Sequence, residues 1–118
     1  MSAPDLGQIA ERLGTLSRDL DKATDRAEGL DRDAVTRRHE YEIAFARAFL
    51  TADGAMDARK QKAVLACGKE KLDAEIADAT LRACKARIGT IKVQIDTGRS
   101  LGAALRAEVA LAGSGYGP

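Results

Sequence analysis

Between Leu6 and Ala48, thirteen positions recur at alternating spacings of three and four without a slip: Leu6, Ile9, Leu13, Leu16, Leu20, Ala23, Ala27, Leu30, Ala34, Arg37, Tyr41, Ala44 and Ala48. Such spacing keeps one side of an α-helix facing a partner helix, so it predicts a coiled-coil-like seam. The first half of the seam is Leu and Ile; the second is mostly Ala, with Tyr41 and a charged Arg37. Ile43, Phe45, Phe49 and Leu50 form a second apolar row that is expected to widen the buried face near its end. Ser2 followed by Asp5 reads as a capping-box-like start, with Pro4 in the first turn. Gly29, followed by Asp31 and Asp33, interrupts the run with a poor helix former and two good caps. The pattern fits one helix here and equally two helices meeting at a kink over Gly29–Asp33.

Ala52-Asp53-Gly54-Ala55-Met56-Asp57 predicts a turn, with Gly54 left-handed and Asp57 capping the next helix. Beyond it, Leu65, Leu72, Ile76 and Ala79 form one apolar row. Ala77, Leu81, Cys84, Ile88, Ile91, Ile95, Gly98, Gly102, Leu105, Val109 and Ala112 form another, slightly out of phase. The offset predicts a stutter near residues 76–81. The fold expected is all-α: a single domain over residues 1–112, with helices over about 3–52 and 57–112 joined by a turn at 53–56 into an antiparallel hairpin. Residues 113–118 are expected to form a flexible tail.

Composition sharpens this picture. Hydrophobic residues are 45% of the 118, yet aromatics are only 3% and Trp is absent. A core of Ala, Leu and Ile holds little volume per residue and suits closely packed helices. The two prolines, Pro4 and Pro118, leave everything between free of a proline break. A two-helix core is thin, and Phe45, Phe49, Val64, Val93 and Leu101 are expected to remain as uncovered flank. Self-association follows as an expectation, most simply a dimer forming a four-helix bundle in which the leucine and isoleucine positions Leu6, Ile9, Leu13, Leu16, Leu20, Ile88, Ile91, Ile95 and Leu105 provide the packing. Gly98-x-x-x-Gly102 is expected to admit a bulky side chain such as Leu13 or Leu16 from the facing helix.

The formal net charge is +1, but its distribution is uneven. Residues 79–118 carry six bases against two acids, Asp96 and Glu108. Lys71 begins a heptad row that resumes after Asp78 as Lys85, Lys92, Arg99 and Arg106, with Arg82 one turn from Lys85. Positions seven apart share a helix face, so Arg82, Lys85, Lys92, Arg99 and Arg106 make a stripe about 30 Å long. It could track a phosphate backbone, close to the Gly98 and Gly102 surfaces. The plainer alternative is a coiled-coil flank paired with acids such as Asp19, Asp21 and Asp25. No aromatic residues interleave with the bases, which removes a stacking platform for single strands.

Candidate chemistry changes little. His39 and Glu42 are three apart, but one His cannot supply the repeated Glu-x-x-His sets of a di-metal bundle, so no metal or other cofactor is expected. An exposed His39 among salt-bridged neighbours is the expectation. Cys84 lies on the apolar row as a small core residue, and Cys67 is expected to be more exposed. There is no phosphate-binding glycine loop, zinc-spaced set or nucleophile with an adjacent base, and no catalytic residue is expected. Two unpaired thiols without a signal peptide fit the cytoplasm, and no apolar run approaches a membrane span.

The stretch Tyr41-Glu42-x-Ala44-x-Ala46-x-Ala48, the later Lys85-x-x-Ile88, and Gly98-Arg99-Ser100-Leu101 followed by Leu105-Arg106-x-Glu108 resemble small helical proteins of actinobacterial phages and prophages, often encoded near replication and recombination genes. The resemblance covers residues 35–112 and leaves the N-terminal leucine seam as an addition. It implies an accessory to DNA transactions acting in the host cytoplasm, with no catalytic residues to carry over. The expected function is a non-enzymatic, self-associating helical adaptor that binds itself and a protein partner, with a virion scaffold or assembly chaperone as a structural variant. The alternative is a nucleic-acid-binding accessory using the basic stripe.

Overall fold

The computed structural model describes residues 3–114, and every regular element among them is helical: α1 (Leu6–Thr51), α2 (Met56–Ala66) and α3 (Gly68–Ser114). No helix among the described residues is long and apolar enough to cross a membrane. The chain is a helical hairpin whose contacts fall into two compact units. The first joins the start of α1, through Thr24, to α3 from Ala86 onward; the second contains Asp25–Lys85 with the turn.

In the first unit, Leu16, Ile91 and Ile95 are buried together, and Leu13, Leu20 and Ala23 pack against them. The helices run antiparallel there, Ile9 lying at Gly102 and Leu13 at Gly98. A Cβ at Gly98 would come within 2.8 Å of Leu13 Cδ2, so the glycine is the hollow that receives this leucine. That is the packing the Gly-x-x-x-Gly spacing predicts. Leu6, at the end of the seam, is 37% exposed.

The start of α1 differs from expectation by one turn of logic. Gln8 N–H donates to Asp5 Oδ1 at 2.7 Å, and Asp5 N–H donates to Gln8 Oε1 at 2.9 Å. This is a capping box with Asp5 as the cap, because its short carboxylate reaches the orphan amide three residues on. Pro4 therefore precedes the helix, and Ser2 lies outside the described residues. At the other end, Gly113 and Ser114 belong to α3, not to a tail; residues 115–118 lie outside the described set.

In the second unit, Ala34, Ala77 and Leu81 form the buried cluster, with Leu30 against it. α1 passes Gly29 without a break. Ala27 and Leu30 stay half-buried and Ala34 buried, so packing on both sides of the glycine outweighs its cost of about 1 kcal/mol. Gly54 takes φ +109°, as the turn requires. Asp57 does not cap α2: Ala55 occupies that position with no side-chain bond, and Asp57 sits inside the first turn. The turn is held from the α2 side. Arg59 donates to Phe49 O through Nε at 3.3 Å and Nη2 at 3.0 Å, with its guanidinium carbon 4.6 Å from the Phe49 ring centre. Lys62 Nζ donates to Asp53 O at 2.8 Å. These bonds satisfy one carbonyl left open in the last turn of α1, that of Phe49, and one in the connecting turn, that of Asp53. Phe49 stacks on Phe45 and Phe45 meets Tyr41 edge-on, which leaves both phenylalanines half-buried instead of uncovered; Ile43 and Leu50 of the same expected row are exposed.

The second arm is not one helix. It breaks at Cys67, where φ −107° and ψ 18° leave the helical well before Gly68 starts α3. The i→i−4 bonds Cys67 N–H to Ala63 O and Lys71 N–H to Cys67 O persist at 3.1 and 3.0 Å, so the break is a local distortion. Cys67 is buried, at 2% exposure, and Cys84 is only half-buried, the reverse of the expected order.

The expected stutter is absent. The facing positions are Ala63, Cys67, Glu70, Ala74, Ala77, Leu81 and Cys84 in the second unit, and Ile88, Ile91, Ile95, Gly98, Gly102 and Leu105 in the first. They alternate by four and three throughout, and each is buried or half-buried. Leu65, Leu72 and Ile76, taken from the sequence as seam, are 83, 56 and 55% exposed. The smaller residues face inward because α1 presents Ala34, Ala44 and Ala48 there, and close helix approach selects small side chains on both sides.

Candidate functional site

Lys92, Arg99 and Arg106 are exposed along one edge of α3 in the first unit. Each is one residue after a seam position (Ile91, Gly98, Leu105), which places it beside the helix interface. The α1 residues on that side include Ala10, Ser17 and Asp21. A shallow groove of about 200 Å³ runs there between Leu6, Ile9, Ala10 and Leu13 on one wall and Gly98, Arg99, Gly102 and Arg106 on the other. The Arg106 guanidinium folds back over Gly102. A neighbouring groove brings Lys92 and Arg99 near Ser17, Asp21 and Asp96.

The paired-flank alternative required acids on these bases. The ion pairs among the described residues join Arg37 to Asp33 and Glu40, at 3.5 and 3.6 Å, and Arg38 to Asp78, at 3.0 Å. No carboxylate among the described residues lies within 4.0 Å of Arg82, Lys85, Lys92, Arg99 or Arg106. Asp19, Asp21 and Asp25 do not pair with the stripe. Asp21 lines the same groove as Lys92 and Arg99 but makes no ion pair with them, and the other α1 residues lining these grooves carry no charge. Asp78, the acid that interrupts the row, is the one such position with a partner across the hairpin, Arg38.

Arg82 and Lys85 lie in the second unit and are exposed. There His39 is exposed, beside Glu40, Ile43, Ala44, Arg47 and Glu70 in an open groove. Glu70 occupies a seam position, and its Oε2 is buried without a hydrogen-bond partner. Among the described residues no group of three or more His, Cys, Asp or Glu could hold a metal ion.

The surface that sequence reasoning missed is the outer side of α3. Leu72, Ile76, Ala79 and Ala83 are exposed and spaced by four, three and four, half a turn away from the buried seam. The signal was present: the four residues have heptad spacing and none is charged. Hydrophobicity alone places Leu72 and Ile76 on the inner face, because they are more apolar than the alanines that occupy it. Farther along, the same spacing meets Ala86, Thr90, Val93, Thr97 and Ser100, also exposed and uncharged. Of the residues expected to pack, Ile9, Leu16, Ile91 and Ile95 are buried, and Leu13, Leu20, Ile88 and Leu105 are half-buried, all within one chain.

Comparison with protein-family models, with curated proteins and with solved structures gives no match.

Proposed function

We propose that this chain is a non-enzymatic helical interaction protein that self-associates and serves as an adaptor for a protein partner. The observation that carries this reading is the outer face of α3 in the second unit. An apolar row with heptad spacing, whose largest members Leu72 and Ile76 are more than half exposed, costs free energy in water and has the form of a second helix-packing seam. The inner seam is consumed by the hairpin, so the outer row is what remains to be offered. Its resemblance to phage accessory proteins directs the partner reading to host or phage proteins of DNA metabolism. The test is sedimentation over a wide concentration range, together with thermal melting. Self-association gives a mass and a melting temperature that rise with concentration. A strictly monomeric mass throughout overturns it.

A second reading is supported by the unpaired bases: a nucleic-acid-binding accessory using Arg82, Lys85, Lys92, Arg99 and Arg106. Lysines and arginines that meet no carboxylate keep their full charge available to phosphates. Labelled single- and double-stranded DNA, titrated at low and moderate salt, distinguishes the two. Phosphate binding weakens steeply with salt and is lost in Lys92→Glu/Arg99→Glu; absence of binding even at low salt removes the reading.

A further inference from the structure

We infer that two copies of this chain pair antiparallel through the outer face of α3, Leu72 of one copy packing on Ala83 of the partner subunit and Ile76 on the partner's Ala79. The inference rests on the self-association proposed above and specifies where and in what direction it occurs.

Three observations carry it. Leu72, Ile76, Ala79 and Ala83 form four successive helix-packing positions, all exposed and all within one unit. Their sizes are ordered: the two large residues come first and the two small ones second. Reversing the direction of the second helix about a point between Ile76 and Ala79 sets each large residue opposite a small one. Every layer is then filled to similar volume, as interdigitating packing requires. Parallel pairing in register would instead set leucine against leucine and alanine against alanine, crowding one end and leaving voids at the other.

Charge selects the same direction. Glu75 and Arg82, both exposed, border the row on one edge, seven residues apart. The antiparallel arrangement about that point brings Glu75 beside Arg82 of the partner subunit, and by symmetry does so twice. A parallel arrangement offers Glu75 no base from this set. Among the described residues no acid pairs with Arg82, so the pairing would break no ion pair seen there. Leu65, one heptad before Leu72, is more exposed, but it lies on α2 beyond the distortion at Cys67, and the charged Lys69 occupies the packing position between the two.

Two experiments together decide the matter. In a Cys67→Ala/Cys84→Ala background with wild-type helicity, Leu72→Cys and Ala83→Cys chains are oxidised separately and mixed. Antiparallel pairing gives a cross-linked dimer in the mixture and little in either chain alone. Sedimentation of charge variants then follows: Glu75→Arg and Arg82→Glu each weaken association about tenfold, since two pairs turn repulsive per dimer, and the double reversal restores it. A dimer that cross-links within each separate chain, or ignores the charge reversals, overturns the inference and leaves self-association standing. A wild-type chain that stays monomeric defeats the underlying reading itself.

Discussion

The two units of this hairpin meet the same packing demand with different residues. In the first, Leu16, Ile91 and Ile95 are buried, and glycines make room for further large residues of α1, Gly98 receiving Leu13 and Gly102 lying against Ile9. In the second, Ala34, Ala77 and Leu81 are buried, and the larger Leu72 and Ile76 point away. A helix pair can be closed by large side chains entering hollows or by small ones allowing close approach, and this chain uses both. The consequence differs at the surface. The second unit, with Ala34, Ala77 and Leu81 inside, leaves Leu72 and Ile76 exposed on the outer side of α3, whereas in the first unit the same outer row continues as Ala86, Thr90, Val93, Thr97 and Ser100.

Core substitutions should separate the two most strongly. Leu16→Ala removes a side chain that is 2% exposed and leaves a cavity, so unfolding free energy by denaturant titration should fall by about 3 kcal/mol. In the second unit the sensitive direction is opposite. Ala34 is 1% exposed, and Ala34→Leu should cost about 1–3 kcal/mol through overpacking. A neutral or stabilising Ala34→Leu would mean the alanine seam is loosely closed, and the contrast between units would collapse.

Glycines give the next effect. Nothing lies within 4 Å of a Cβ added at Gly89, so Gly89→Ala should stabilise by about 0.5–1 kcal/mol through helix propensity. Gly98→Ala has the same propensity gain but meets Leu13 Cδ2 at 2.8 Å, and its melting temperature should fall below that of Gly89→Ala. Equal stabilisation by the two would show that Leu13 can withdraw freely. The smallest effect belongs to the ion pair across the second unit. Arg38 and Asp78 side chains are 54 and 33% exposed, so Arg38→Ala should change stability by no more than about 0.5 kcal/mol. A larger loss would give the second unit a polar anchor that the first lacks.

How much was legible follows from the same contrast. The α1 seam could be read because its leucines are large and strictly spaced, and its members proved buried or half-buried except for terminal Leu6 and charged Arg37. The inner seam of α2 and the start of α3 could not be read by hydrophobicity, because Ala63, Ala74 and Ala77 are less apolar than the exposed Leu65, Leu72 and Ile76. Extending the spacing backward from Leu81 by four and three would have found it. The basic stripe was visible as a row, but its lack of partners depended on which α1 residues came to lie opposite.

By itself, then, the amino-acid sequence determined an all-α hairpin, its turn at Gly54 and the entry of a leucine, Leu13 or Leu16, into the Gly98-x-x-x-Gly102 face. These depend on local spacing, on backbone freedom and on large residues that have one place to go. Only the tertiary structure decided which face of α3 is buried near the turn, where the second arm breaks and which charges go unpaired. Those outcomes depend on how closely two helices approach and in what register, a property of the pair that neither helix carries alone.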